Sequence, residues 1–200
     1  ASYLSAAQLG IYPQSLATRE YVYSRDVSNV TNGNLTSVDS DDQGGEARNV
    51  WGDGKFVYLA NGTAGLHVYS VDTNGNLTHV DSDDQGGIAE DVWGDGNFIY
   101  LANNTTGLLS YSVASSGVVT HIDTLGSVGT VENVWGDGKF IYTANNSDGL
   151  YSYSVDANGN LSNIDSDDQG GEARDVWGDG DFIYLANGTQ GLLSYSVDAN

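Results

Sequence analysis

The sequence contains no cysteine, a single proline and only six basic residues in 200. Without cysteine the chain can form neither disulfides nor thiolate metal sites, and a cysteine nucleophile is excluded. Six Lys and Arg against 27 Asp and Glu give a net charge of −21. So acidic a surface repels nucleic-acid phosphates and anionic membranes. Since no apolar run reaches the ~18 residues of a membrane-spanning helix, we expect neither nucleic-acid binding nor membrane insertion.

One phrase recurs along the chain. It reads Val-Trp-Gly-Asp-Gly at residues 50–54, and it returns three times, each time followed by a Phe-x-Tyr motif. The four tryptophans are therefore spaced by a constant 42 residues: Trp51, Trp93, Trp135 and Trp177. A fixed period of this size indicates a repeat architecture.

Each repeat predicts four short antiparallel strands. In the second repeat, strand-like runs occupy residues 88–93, 98–102, 108–113 and 118–123, and the segments between them contain glycine, asparagine or serine. The second run is apolar on both faces, which is typical of a sheet covered by a neighbour on each side. No run has the apolar spacing of a helix. We therefore predict an all-β protein, a β-propeller of 42-residue four-stranded blades.

The repeat register predicts one propeller domain with five blades over residues 1–200. The full blades are residues 46–87, 88–129 and 130–171. Residues 172–200 form a blade that lacks its outer strand, and residues 11–45 form a degenerate blade without the Trp. We expect residues 1–10 to supply the missing strand and to close the ring, because closure removes exposed sheet edges. Two alternatives stay open: a piece of a longer propeller, and a strand donated by another copy in a head-to-tail polymer.

The second and third strands carry a family resemblance. Residues 54–72 read GKFVYLANGTAGLHVYSVD. They resemble the LVIVD repeat in length, in the aromatic-x-Tyr strand, in the Ala-Asn-Gly turn and in the Gly-Leu strand that ends in Asp. The resemblance covers about residues 46–200 and departs from the pattern at the Trp and at the acidic loop 81–87. It implies a propeller, often on bacterial surface or secreted proteins, and it brings no defined catalytic residues.

Two sets of repeated residues are candidate ligand contacts. A ring of tryptophans is suited to stacking against sugars, but we favour packing between blades, because repeats repeat their cores. The turns after the second strands offer a second set, and these asparagines also lie in Asn-x-Ser/Thr sequons. The candidate residues are Trp51, Trp93, Trp135 and Trp177, together with Asn61, Asn103, Asn145 and Asn187. The aspartates between the two glycines of each Trp motif are expected to set the turn.

The acidic loop Asp-Ser-Asp-Asp-Gln-Gly partly matches a calcium-binding loop, in which oxygen ligands alternate and glycine permits a sharp turn. The bidentate Glu at position twelve is missing, and the loop at residues 123–126 has lost the acids that follow Asp123. We favour a solvated connecting loop and keep calcium as the alternative, with no other cofactor expected. The candidate ligands are Asp39, Asp41, Asp81, Asp83, Asp165 and Asp167.

The three histidines form no site by their spacing. His79 and His121 share one blade position with Ser37 and Asn163, which favours an exposed position, whereas His67 shares its position with leucines and a tyrosine, which favours packing. No Ser-His-Asp, phosphate-loop or HExxH pattern is present.

The composition and the repeat together favour a structural role. Near-equivalent blades argue against an enzyme, since catalysis needs one asymmetric constellation. We expect a non-enzymatic structural or recognition propeller, extracellular or at a particle surface. Its expected partners are other copies, a surface protein or a glycan. The alternatives are a multivalent carbohydrate-binding protein and a subunit that polymerises by strand exchange.

Overall fold

A computed structural model describes residues 34–126 and 129–197. Their strands form three four-stranded sheets and one three-stranded sheet, in each of which the strand order follows the chain and every pairing is antiparallel. The strands are β1 Asn49–Gly52, β2 Phe56–Ala60, β3 Leu66–Val71, β4 Leu77–Asp83, β5 Asp91–Gly94, β6 Phe98–Asn103, β7 Gly107–Val113, β8 Val119–Leu125, β9 Asn133–Gly136, β10 Phe140–Ala144, β11 Leu150–Val155, β12 Leu161–Asp167, β13 Ala173–Gly178, β14 Phe182–Asn187 and β15 Leu192–Ser196.

Successive sheets pack side by side as blades, which we number one to four. The first strands of neighbouring blades contact each other, β1 with β5, β5 with β9 and β9 with β13. A short backbone bridge also joins the turns after β2, β6 and β10 to the next blade, as between Gly62 and Ala89. The described residues contain one short 3-10 turn, Gly188–Gln190, and no α-helix. The predicted all-β architecture of repeated blades is confirmed.

The hydrophobic core lies between the blades. One cluster joins Phe56, Tyr58 and Leu66 of blade one to Val92 and Leu109 of blade two, and equivalent clusters fill the next two junctions. The strand β6, which blades cover on both sides, is buried at every residue but its first. This burial matches the continuous apolar run predicted for the second strand.

The two ends of the described array differ from its middle. Residues 34–45 form no strand, yet they lie against blade one in the manner of an outer strand. The Leu77 backbone N–H donates to Asp39 Oδ2 over 2.9 Å, and Val38 lies against Gly75. At the other end no fourth strand lies beside β15 among the described residues. The predicted closing strand, residues 1–10, and the predicted blade before residue 34 fall outside the described residues.

The four sheets fall within the predicted blade limits 46–87, 88–129, 130–171 and 172–200. No helix in the described ranges is long and apolar enough to cross a membrane.

Candidate functional site

Three of the four tryptophans lie between blades. A Cβ atom placed on Gly94 would lie 2.6 Å from Trp51 Cζ3, and one on Gly136 would lie 2.5 Å from Trp93 Cζ3. Trp135 lies in the same way on Gly178. Each indole therefore rests directly on the backbone of the next blade, where only glycine leaves room for it. The Gly of the Trp-Gly motif in blades two, three and four is therefore the packing site for the tryptophan ring of the preceding blade.

Trp177 packs against no such glycine among the described residues. It is 55% exposed, whereas the other three are half-buried. Phe182 and Leu192 on the same blade are also exposed, although Phe56, the equivalent of Phe182 in blade one, is buried. Within the part of the chain that the structure describes, the last blade thus presents an uncovered apolar face around Trp177.

The aspartate of each Gly-Asp-Gly turn holds the turn and the strand after it. Asp95 Oδ1 accepts the backbone N–H groups of Asn97 and Phe98 over 2.7 and 2.8 Å. Asp95 Oδ2 accepts the hydroxyl proton of Tyr100 over 2.9 Å. Burial, with the nearby Asp95 carboxylate, raises the pKa of Tyr100. The same three hydrogen bonds recur in the other blades. The two backbone bonds hold the turn as the sequence predicted, whereas the bond from the tyrosine was not predicted.

The four candidate asparagines are buried. Asn61, Asn103, Asn145 and Asn187 are 0–3% exposed. The Nδ2 of Asn103 donates to the Gly86 carbonyl over 2.6 Å, and Asn61 and Asn187 make the equivalent bond. These amides bind the loop that enters the blade, so the side chains are not available to a ligand from solvent.

The acidic loop connects each blade to the next. Asp81 Oδ2 accepts the Val119 backbone N–H of blade two over 2.9 Å, as Asp39 does from Leu77. Asp83 Oδ1 accepts Gln85 Nε2 over 2.7 Å and lies 3.4 Å from the hydroxyl of Tyr111. The aspartates of the acidic loop therefore stabilise the loop and its junction with the next blade.

The six candidate calcium ligands lie in pairs in three separate copies of the acidic loop, and their carboxylates accept hydrogen bonds from neighbouring groups. Asp41 accepts from Gln43 as Asp83 does from Gln85. Asp165 accepts the N–H of Ser166, and Asp167 accepts the amide of Gln169. No group of three or more acidic or histidine side chains with metal-binding geometry occurs within residues 34–126 and 129–197.

One carboxylate is buried without a positive partner. Asp91 is 5% exposed and accepts the backbone N–H groups of Val92 and of Val134, each over 2.9 Å. Burial raises the pKa of Asp91 to about 6, and Asp175 adds to the rise. Blades one and three carry asparagine at this position and blade four carries Asp175; Asn133 Oδ1 accepts the Val176 N–H over 3.0 Å. Asp91 is therefore a buried carboxylate at the junction between blades two and three.

A cleft lies between blades two and three beside Asn97. In blade one the equivalent Lys55 donates to the Ser115 carbonyl across the junction and lies over the Phe56 ring. Asn97 is shorter than lysine, and the cleft beside it has Asp95, Phe98, Lys139 and Asp156 among its lining residues. The residue at this position is asymmetric within the repeat, since blades one and three carry lysine and blade four carries Asp181.

Two histidines come together in blade one, which the sequence analysis missed. His67 on β3 and His79 on β4 have ring centroids 5.3 Å apart. A β-bulge between Val68 and Tyr69 sets His79 opposite Tyr69, on the face that also carries His67. The prediction that the His79 position is exposed is wrong, since it is half-buried and its Nε2 is buried. The signal in the sequence was that only this repeat carries His at both positions.

Comparison with known proteins supports this architecture. The LVIVD repeat matches residues 44–81, 86–109 and 170–193. No curated protein sequence matches the chain. A crystal structure of the computationally designed Ika4 protein is similar in fold, with a TM-score of 0.65 at 8% identity over 82% of this chain and 99% of that one. The predicted resemblance is confirmed: this is an all-β chain built from repeated blades, and it contains LVIVD repeats.

Proposed function

We propose that this protein is a non-enzymatic structural and recognition module that works outside the cell or on a particle surface. The proposal rests on one observation: the repeated polar side chains form hydrogen bonds within and between the blades. Asp95 and its equivalents hold turns, Asn103 and its equivalents hold loops, and Asp81 joins blades. Polar groups that are engaged in this way stabilise the array and leave few groups to act on a substrate. The location rests on the resemblance to LVIVD-repeat proteins.

Asp91 gives the sharpest test of this proposal, because it is a buried carboxylate with a pKa raised to about 6, and perturbed carboxylates are frequent in active sites. The purified protein is assayed on glycoside, ester and phosphate substrates. We expect no turnover above that of Asp91→Asn. Turnover that disappears in Asp91→Asn, while the fold is retained by circular dichroism, would establish an enzyme instead.

Self-assembly is a second candidate, supported by the uncovered face around Trp177. Within the array each Trp rests on the next blade's Gly, as Trp51 does on Gly94. One end of the described array has an exposed Trp177, and at the other end Gly52 carries no aromatic ring among the described residues. The exposed ring of Trp177 and the glycine that no ring covers among the described residues are the two halves of a contact that can link copies head to tail.

Light scattering over a range of concentrations tests self-assembly. Mass that grows with concentration, and that returns to one chain in Trp177→Lys, would support it. A constant mass of one chain for the unmodified protein would refute it. Trp93→Ala is the control, because it weakens an internal junction and leaves both ends intact.

Carbohydrate binding is a third candidate, favoured by the cleft between blades two and three. Carboxylates and an amide beside an aromatic ring are groups that bind sugar hydroxyls and sugar faces. A glycan array tests this candidate. The matched variant is Asn97→Lys, which restores the lysine of blades one and three and is expected to fill the cleft. Binding that is unchanged by Asn97→Lys, or an array without any bound glycan, would refute carbohydrate binding at this cleft.

A further inference from the structure

The paired histidines of blade one are set apart by their unsatisfied nitrogens. His67 Nδ1 and His79 Nε2 are both buried and neither has a hydrogen-bond partner among the described residues. Buried polar atoms are nearly always partnered, so each exception requires an explanation. Two such atoms on rings 5.3 Å apart point to one shared cause.

The hydrogen bond at the other nitrogen of His67 sets its tautomer. His67 Nε2 lies 3.1 Å from the Ala64 carbonyl, which can only accept, so Nε2 carries the proton and Nδ1 keeps a free lone pair. A histidine that donates one ring N–H to a backbone carbonyl and offers the other nitrogen is the usual arrangement of a metal ligand. Burial lowers the pKa of His67, which keeps the ring neutral and able to coordinate.

The spacing of the two rings fits a shared ion. Zinc binds imidazole nitrogen at ~2.0–2.1 Å, which places the metal ~3.2 Å from each ring centroid. At a tetrahedral angle two such rings have centroids ~5.2 Å apart. The observed separation is 5.3 Å with an interplanar angle of 53°. A direct hydrogen bond between the two rings is not formed, so the unsatisfied nitrogens remain for another partner.

We propose that His67 and His79 bind one divalent transition-metal ion of the kind that prefers imidazole, with water completing the coordination. Imidazole nitrogen suits zinc, nickel and copper rather than calcium or magnesium, which take oxygen ligands. The site differs from the calcium alternative in residues and in chemistry. It belongs to blade one alone, because the position of His67 holds Leu109, Tyr151 and Leu193 in the other blades.

Zinc titration of the whole chain by calorimetry, in excess magnesium, tests the site. Magnesium occupies the many surface carboxylates, so the remaining heat reports imidazole binding. His67→Leu and His79→Asn place in blade one the residues that other blades carry at these positions, Leu109 and Asn163, and both variants are expected to fold. His121→Asn is the matched control, since that ring bonds Thr124 and has no histidine partner.

The expected result is one zinc per chain, with affinity reduced at least about tenfold in His67→Leu and in His79→Asn and unchanged in His121→Asn. Nitrogen NMR shifts of the two rings should move together on titration. Zinc binding that is equal in all four proteins, or no binding by the unmodified chain under magnesium, would overturn the proposal. If one histidine variant fails to fold, the other and the NMR shifts decide the outcome.

Discussion

The contact between Trp93 and Gly136 makes a quantitative prediction. Gly136 has no left-handed φ, so alanine strains no backbone there, but its Cβ would lie 2.5 Å from Trp93 Cζ3 and 2.9 Å from Ile141 Cδ1. Real Cβ atoms do not approach so closely, and the indole, which stacks on Tyr100, has little room to move. Gly136→Ala should therefore destabilise the fold by about 1–3 kcal/mol, the usual cost of overpacking.

Removing the Trp93 indole should remove the destabilising effect of Gly136→Ala. Trp93→Ala alone should destabilise the fold by about 3 kcal/mol, because a large, half-buried aromatic side chain is lost. Adding Gly136→Ala to Trp93→Ala should then cost almost nothing, since the methyl group enters space that the indole has left. The two substitutions should couple by about 1–3 kcal/mol in a double-mutant cycle.

Urea unfolding followed by circular dichroism measures these differences without relying on tryptophan fluorescence. For a chain of this size 1 kcal/mol also corresponds to about 2–4 °C in Tm. Gly52→Ala is the control, because its Cβ would meet only the Phe56 carbonyl at 3.3 Å and Val57 at 3.9 Å among the described residues. Two outcomes would refute the packing of the indole on glycine. One is that Gly136→Ala lowers the free energy of unfolding no more than Gly52→Ala does; the other is that the effects of Gly136→Ala and Trp93→Ala are additive.

Two further predictions concern buried polar groups. Asp91→Asn should stabilise the protein at neutral pH by about 1–3 kcal/mol, because the folded state raises the pKa of this carboxyl to about 6. The unmodified protein binds this proton more tightly when folded, so its contribution should be lost as pH rises from about 4 to about 6. Asn133→Asp should create the same dependence, and identical pH–stability curves for Asp91→Asn and the unmodified chain would contradict the assignment. Asn103→Ala should lower the free energy of unfolding in urea by about 1–3 kcal/mol, since the Gly86 carbonyl loses a buried donor. Asn97→Ala, on the surface, is the control and should change the free energy little. Equal effects of the two substitutions would contradict the role of Asn103.

The sequence predicted the elements that depend on neighbours in the chain. The Gly-Asp-Gly turn closes through bonds from Asp95 to residues two, three and five positions later. The bonds from the backbone of Asn97 and Phe98 form within one turn, so the residue types alone indicate them, whereas the bond from Tyr100 on β6 was not predicted. The 42-residue period similarly predicted the blades, because each copy of one pattern must fold in the same way.

The uses of particular side chains depended on contacts between blades. Asp81 reads as a calcium ligand in the loop, but its Oδ2 accepts a backbone N–H 38 residues away. Identical tryptophans differ in exposure, because a blade covers Trp135 and no described residue covers Trp177 in that way. Local patterns cannot distinguish these environments.

By itself the sequence determined the blade, its length and its turns, since these follow from hydrogen bonds and apolar alternation within one repeat. Only the tertiary structure decided which copies of a repeated residue are covered, which carboxylate is buried at a junction and which two histidines meet. The physical reason is that a single bulged residue in β4 changes which side chains share a face, and that burial depends on the neighbouring blade rather than on the residue's own repeat.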